Sequence, residues 1–452
     1  MTRKFKTPNY EETLDLQISM REVLSPDHLA RFIVDVVEQL DLSNIYKQYS
    51  DQGAPPYAPE VLLGLLFYGY ATGVFSSRKI EQATTEVIPF RFIGGDMHPD
   101  HDTIAHFRQQ FLPELKELFV QILLMAQEMD YLKVGNVSLD GSKIHADASK
   151  SKAVSYKRLL AIDAYLQAEV NELFALAEAV DGGQLPAEMN IQDEIERRQQ
   201  QLARLAEARK VLEARAQARY EAEQVEYEAK MQARAEKVVK TGCKPSGQPP
   251  KPPTVGPGDK DQYNFTDPES RIMKNANNSG FDQHYNTQVV VEHDSRLIVG
   301  NWLCNQPNDK QAALPTIDTV PPELGQPETA NLDTGYFSEK NIAGLKARGI
   351  DPYLATGRSP HHQGWRGHFL DNPDPPPQDA TVKEHMAYKL RTEIGKAIYR
   401  LRKSTVEPVI GIIKEVLGFR QFSLRGLVAA AGEWTLVCLA YNLKRLHTLQ
   451  SG

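Results

Sequence analysis

The chain has 452 residues with ordinary hydrophobic (41 %) and charged (25 %) fractions, enough for a large core and for two or three domains. Its net charge of −7 gives no global sign of nucleic-acid binding, so any basic surface must be local. Three isolated cysteines (Cys243, Cys304, Cys438) argue against a disulfide or zinc framework and fit a reducing compartment. No apolar core follows the basic N-terminus, and the most apolar run, residues 61–70, falls short of the roughly 18 residues a membrane span needs. The expectation is a soluble, cytoplasmic protein.

Residues 1–130 read as an all-α N-terminal domain. Ser25-Pro26-Asp27 predicts the cap of a helix over 28–39, and Pro59-Glu60 opens a very apolar helix to about residue 72. Ser76 or Ser77 caps a third to about 87, and Asp102 is a candidate cap for a helix running from 103 towards 125. Two short helices, a turn and a helix carrying His106, Arg108 and Gln109 suit a helix-turn-helix with Arg108 on DNA. A bundle with a solvated polar face is the reading that pattern alone favours.

The next stretch, VSLDGSKIHADASK (137–150), carries Asp140 after a short apolar strand, with Gly141 and Ser142 breaking the run. A charge in such a strand is costly unless it is paired or holds a metal. The competing reading is that Asp-Gly merely opens a hairpin turn. Beyond it, apolar residues recur at helical spacing over 158–179 and again over 191–239. They predict an antiparallel helical hairpin (155–242), a spacer or oligomerisation arm whose coiled-coil seam is interrupted by Arg198 and Arg209. Residues 243–260, rich in Pro and Gly, read as an extended and mobile linker.

Strand signals return over 285–291 and 296–299 as a hairpin, then a helix over 309–319 and a strand over 329–333. This second strand ends in Asp333, again followed by a turn pair. A helix over 338–347 capped by Ser338, a strand over 351–355 and a polar, proline-rich loop over 361–377 follow, and from about 382 the chain reads as helical to its end. Glu407 lies on that late helical stretch. The order of elements predicts an α/β sheet of mixed direction with three carboxylates, Asp140, Asp333 and Glu407. Such hard oxygen donors suit Mg²⁺ or Mn²⁺ rather than zinc. Two such ions about 3.5–4 Å apart suit phosphodiester displacement. Spacing alone does not establish the trio, because the two aspartates are 193 positions apart (333 − 140).

Between residues 389 and 425, nine Lys or Arg stand against three Glu, a local cationic excess in an acidic chain. It is read either as a solvated face or as phosphate contact. Lys414 follows Glu407 by two helical turns, so both are expected to point the same way. Lys143 and Lys150 are candidates for backbone phosphate near the first acid. Trp302, Trp365 and Trp434 read as packing residues, with stacking of Trp365 on an unpaired base as the alternative.

The blocks VSLDGSKIHADASKSKAVSYKR, TDPESRIMK, FDQHYNTQVVV, NLDTGYFSEKNI, YLATGRSPHH and LRTEIGKAIYRLRKSTVEPVIGIIKEVLGFRQFSLRG resemble the successive blocks of bacterial insertion-sequence DDE transposases, in the branch with a helical insertion after the first acid. The resemblance, which extends to HPDHDTIAHFRQQF, implies a helical DNA-binding domain over 1–130 and an RNase H-like catalytic domain over 131–452, with Asp140, Asp333 and Glu407 as the catalytic, metal-binding triad. It also implies a Tyr–Arg–Glu–Lys signature matched by Tyr399, Arg402, Glu407 and Lys414, as DNA contacts around the third acid. Four residues separate Arg402 from Glu407, one more than in the best-known form, and Ile410 stands where an aromatic is usual. The implied activity is cleavage at element ends and 3′-hydroxyl strand transfer. The implied partners are double-stranded DNA (terminal inverted repeats and target) and a second copy of the chain. Two alternatives stay open: an inactive, transposase-derived DNA-binding regulator, and an RNase H-like nuclease that cuts without joining.

Overall fold

The computed structural model describes residues 19–49, 56–180, 190–243, 247–275, 280–357 and 375–451. Contacts divide the chain into two units, residues 1–144 with 285–452 and residues 145–284. The first unit opens with helices α1 (Met20–Val23), α2 (Leu29–Val37), α3 (Ser43–Tyr46), α4 (Pro59–Ala71), α5 (Ser77–Glu86), α6 (Ile88–Gly94), α7 (His101–Gln110) and α8 (Leu115–Glu128). The cap of α2 is His28, whose Nδ1 accepts from Ala30 N at 3.0 Å, rather than the Ser-Pro-Asp before it. Helix α4 is buried on nearly every side, as its unbroken run of apolar residues requires. The single helix expected over 103–125 is two. Asp100, not Asp102, caps α7, and the chain breaks at Phe111 before α8. Strand β1 (Asn136–His145) follows.

The second unit contains β2 (Ala153–Ser155), α9 (Tyr156–Val180), α10 (Ile191–Thr241), β3 (Gln262–Asn264) and β4 (Arg271–Lys274). Helices α9 and α10 lie antiparallel. Tyr156 Oη donates to Glu213 at 3.0 Å near one end, and Arg198 Nε donates to Glu169 at 2.9 Å further along. Between them Leu159 and Leu166 pack with Leu205, Ala208 and Leu212. Arg198, which interrupts the apolar seam in sequence, is thus neutralised by a carboxylate of the facing helix. The proline-rich stretch is not a free linker. Arg219 pairs with Asp261 at 3.0 Å, Arg234 donates to Gly247 O at 3.3 Å, and Pro250, Pro252 and Pro253 line a pocket with Glu223, Tyr227 and Lys230 of α10.

The first unit resumes in β5 (Phe281–Glu292), whose opening residues pair with β4, and continues with β6 (Ile298–Cys304), α11 (Ala313–Ile317), β7 (Thr329–Leu332), α12 (Glu339–Ala347), β8 (Asp351–Leu354), α13 (Val382–Lys389), α14 (Glu393–Gly411) and α15 (Leu427–Ser451). Its strands run in the order β6-β5-β1-β7-β8. The β5–β6 hairpin is antiparallel, while β1, β7 and β8 are parallel to one another, so the sheet is mixed. Parallel neighbours are buried on both faces, which explains the unalternating Val137, Ser138 and Leu139. Most of the loop expected over 361–377, with Trp365, lies outside the described residues. Among the described residues no helix is long and apolar enough to cross a membrane.

Helix α15 packs on α4, α8 and β6, so the N-terminal helices share a core with the sheet and the expected boundary at residue 130 is not a break in packing. A buried polar knot marks this contact. Tyr70 Oη donates to Glu433 at 2.9 Å, Arg108 Nη1 donates to Tyr70 Oη at 2.9 Å, and Glu433 also accepts from the Ser423 and Leu424 amides at 2.9 and 3.0 Å.

Candidate active site

Asp140 and Asp333 are brought together by strand register. Leu139 faces Leu332 in the parallel β1–β7 pair, and the acids are the next residue on each strand. Asp333 then leaves the sheet to cap a short turn, its Oδ1 accepting from Gly335 N at 2.7 Å. Asp140 does not open a hairpin, and Gly141 and Ser142 do not end the strand, because β1 runs on to His145. Gly141 has a different reason to be glycine: a Cβ there would collide with the Gln288 side-chain amide. That amide is fixed by Asn286 Oδ1 at 3.0 Å, by Asp309 at 3.2 Å and by the buried Tyr336 hydroxyl, which donates to Gln288 Oε1.

The third acid comes from α14. Arg402 spans two of the three: Nη1 donates to Asp140 Oδ2 at 3.0 Å and Nη2 to Glu407 Oε1 at 2.8 Å. The Arg402 and Asp140 side chains are 12 % and 20 % exposed, whereas Glu407 is 47 % exposed, so the pair at Asp140 is the more desolvated one. Tyr399, part-buried one turn earlier, has its phenol pushed up, chiefly by burial, against the opposing pull of Arg402. Burial pushes the Asp140 carboxyl up from 3.8 to about 6. Arg402 and the Gly141 N–H pull it down, and the charges of Asp333 and Glu407 raise it further.

A raised native value means that the folded state binds the proton more tightly than the unfolded chain. Asp140 therefore contributes stability below about pH 4 that is lost as pH rises through about 6. Asn at this position does not titrate. The stability of Asp140→Asn relative to wild type is expected to rise by roughly 1–3 kcal/mol between pH 4 and 7. Urea denaturation at several pH values measures this, and a pH-independent difference would show that Asp140 keeps an ordinary carboxylate value.

The three acids are hard oxygen donors, and the mutual repulsion seen at Asp140 is what a divalent cation relieves, so the donor set suits Mg²⁺ or Mn²⁺ in kind. In this arrangement the Arg402 guanidinium supplies the positive charge. Among the described residues no group of three or more His, Cys, Asp or Glu stands close enough to hold a metal ion.

The other expected site residues stand in different settings. Arg108 is buried (7 % exposed), donating to Tyr70 Oη and to Phe75 O at 3.2 Å, so its guanidinium ties helices together and is not presented to DNA. His106 and Gln109 are the exposed residues of α7 beside it. Lys414 is not one α-helical face with Glu407: α14 ends at Gly411 and passes into a π turn over Ile412–Val416, where burial lowers the Lys414 ammonium. Lys143 lies part-buried on β1. Lys150 sits in the second unit, 3.8 Å from Asp282. Trp434 is buried and donates to Gln288 O at 3.2 Å, a packing role.

Asp309 was not singled out by sequence. It accepts from Asn286 Nδ2 at 2.7 Å, and its charge, with those of Asp140 and Asp333, raises the Tyr336 phenol beyond the effect of burial. The available signal was Asn286 and Gln288, two polar residues at alternate positions of a strand that is buried along nearly all its length.

Residues 18–110 match a family described as Transposase domain (DUF772), and residues 377–447 match one described as Transposase DDE domain. The second span contains Tyr399, Arg402, Glu407 and Lys414, while Asp140 and Asp333 lie outside both. A Burkholderia cepacia protein described as a putative transposase for insertion sequence element IS402 is 38 % identical over 64 residues, 13 % of this chain and 30 % of that protein. The chain thus spans under a third of the length of that curated relative. No solved structure matches the chain. The chain is thus similar to transposases at both of its ends, and one stretch of it is similar to a relative named for an insertion sequence.

Proposed function

We propose that the chain is a DNA transposase whose RNase H-like sheet carries one catalytic centre, built from Asp140, Asp333 and Glu407. The observation that carries this reading is the convergence on Arg402. The aspartates follow the last paired residues of adjacent parallel strands, and one guanidinium links the first of them to Glu407. Asp140, Asp333 and Glu407 would hold divalent ions, Mg²⁺ or Mn²⁺. Bound there, such ions supply activation of an attacking oxygen and neutralisation of the leaving one. Arg402, released from its two carboxylates, is placed to meet a DNA phosphate with a planar pair of donors. Exposed Lys396, Arg400 and Lys403 on α14 extend that cationic face along a duplex. Tyr399 packs against the Arg402 side of the centre. The chemistry is hydrolysis at the element ends followed by attack of the freed 3′-hydroxyl on a target phosphodiester. No Ser or Tyr nucleophile is used, and a dimer working on chromosomal DNA in the cytoplasm would hold the two ends.

The test is a nicking and strand-transfer assay on supercoiled plasmid carrying the element's own ends, with and without Mg²⁺. Mg²⁺-dependent cleavage and joined products are expected. Cleavage without joining would make the chain a nuclease. End binding with neither product would make it a regulator.

A further inference from the structure

Directly beneath the acids lies a second polar layer. Ser138 and Asn331 are register partners in the parallel β1–β7 pair, and strand alternation puts them on the same faces as Asp140 and Asp333, two residues on. Both are fully buried, and His293, at the end of β5, is 8 % exposed. The His293 Nε2 atom lies 2.9 Å from Ser138 Oγ and 3.3 Å from Asn331 Nδ2. Asn331 Nδ2 also donates to the Ile398 carbonyl of α14 at 2.9 Å. Ile398 immediately precedes Tyr399 and lies four residues before Arg402.

The Asn331 amide spends one hydrogen on Ile398 O and directs the other to His293, so Nε2 is the accepting nitrogen and the ring proton is assigned to Nδ1. Burial lowers the His293 imidazole, in keeping with a neutral ring. Asn331 Oδ1 has no hydrogen-bond partner among the described residues, and the His293 ring also meets the Val137 backbone. A sheet interior of this kind is ordinarily Val, Ile or Leu, and unpartnered polar atoms there cost stability. What the layer gains is a directional bond to the helix that carries Arg402 and Glu407.

We propose that Asn331, oriented by His293 and Ser138, is a positioning residue that fixes α14 on the sheet and so sets Arg402 and Glu407 against Asp140 and Asp333. This rests on the proposed reading of the acids as a metal centre. The test compares full-length wild type with Asn331→Leu, which keeps bulk but has no donor, and with Ser138→Ala, using melting, amide hydrogen exchange and binding of Mn²⁺ alone.

In Asn331→Leu, exchange over residues 398–407 is expected to rise about tenfold while α15 is unchanged. Mn²⁺ binding is expected to weaken by about tenfold or more, the range seen when groups that orient metal ligands are removed. Ser138→Ala should move both readouts the same way by a smaller factor. Unchanged exchange in α14, or faster exchange with undiminished Mn²⁺ affinity, would overturn the proposal, the latter leaving a purely structural bond. Should Asn331→Leu fail to fold, Asn331→Ser and Ser138→Ala carry the same comparison. Wild-type protein that binds no Mn²⁺ would instead remove the metal centre, and with it the positioning role; the exchange data would then show only whether Asn331 anchors the helix.

Discussion

Asp140→Asn is expected to lose Mg²⁺-dependent nicking by at least about a thousandfold while DNA-end binding stays within a few-fold. The substitution keeps the shape of the side chain and removes one negative charge from the centre. It also takes away one of the two carboxylates that Arg402 grips. Stabilisation of developing charge by a divalent ion amounts to several kcal/mol, and each 1.4 kcal/mol or so is tenfold in rate. On the proposed reading end binding draws on the cationic face of α14, which Asp140 does not supply, so it should survive. Glu407→Gln is expected to behave alike, since Arg402 ties it to the same acid. Gel-shift and plasmid-nicking assays on the same preparations decide the matter. Nicking within tenfold of wild type would take Asp140 out of the centre.

Glu433→Ala is expected to cost about 3–5 kcal/mol of stability, because it removes a buried carboxylate that accepts from four donors. Glu433 is fully buried, and its loss would strand the Tyr70 and Ser423 hydroxyls and the Ser423 and Leu424 amides. Glu433→Gln, which keeps an accepting oxygen, should lose distinctly less. Equilibrium denaturation of the two variants beside wild type measures both. A loss below about 1 kcal/mol for Glu433→Ala, the size typical of surface positions, would mean that water takes over these bonds.

The parts of the centre that were legible in sequence are those fixed by local pattern. Strand-forming runs ending in Asp-Gly and Asp-Thr-Gly marked both aspartates. The β5–β6 hairpin was visible as two β-branched runs around His293-Asp294-Ser295, and Ser338 does cap its helix, accepting from Asn341 N at 3.1 Å. What escaped was decided by partners distant in sequence. Arg108 looked like a surface cation because Tyr70, 38 positions away, cannot be seen from α7. Gly141 looked like a turn because the amide that crosses it belongs to Gln288. The proline-rich stretch after α10 looked free because Arg219 and Arg234, which donate to its Gly256 and Gly247 carbonyls, lie inside a helix that reads as a solvated coiled coil. Lys414 stands in a π turn, which no local propensity announces, so 3.6-residue periodicity does not carry from Glu407 to it.

The junctions of the second unit bear on how such chains can diversify. It begins after Ile144 at the end of one strand and ends before Tyr285 in the strand alongside, where Thr287 Oγ1 still donates to Ser142 O at 2.6 Å. Entry and exit are thus pinned by neighbouring strands, so the 140 residues between them (284 − 145 + 1) close a loop whose ends the sheet already holds. Since doubling a flexible loop adds only about 0.6 kcal/mol of closure entropy, evolution can lengthen, shorten or replace that segment with little penalty to the strands that carry the acids.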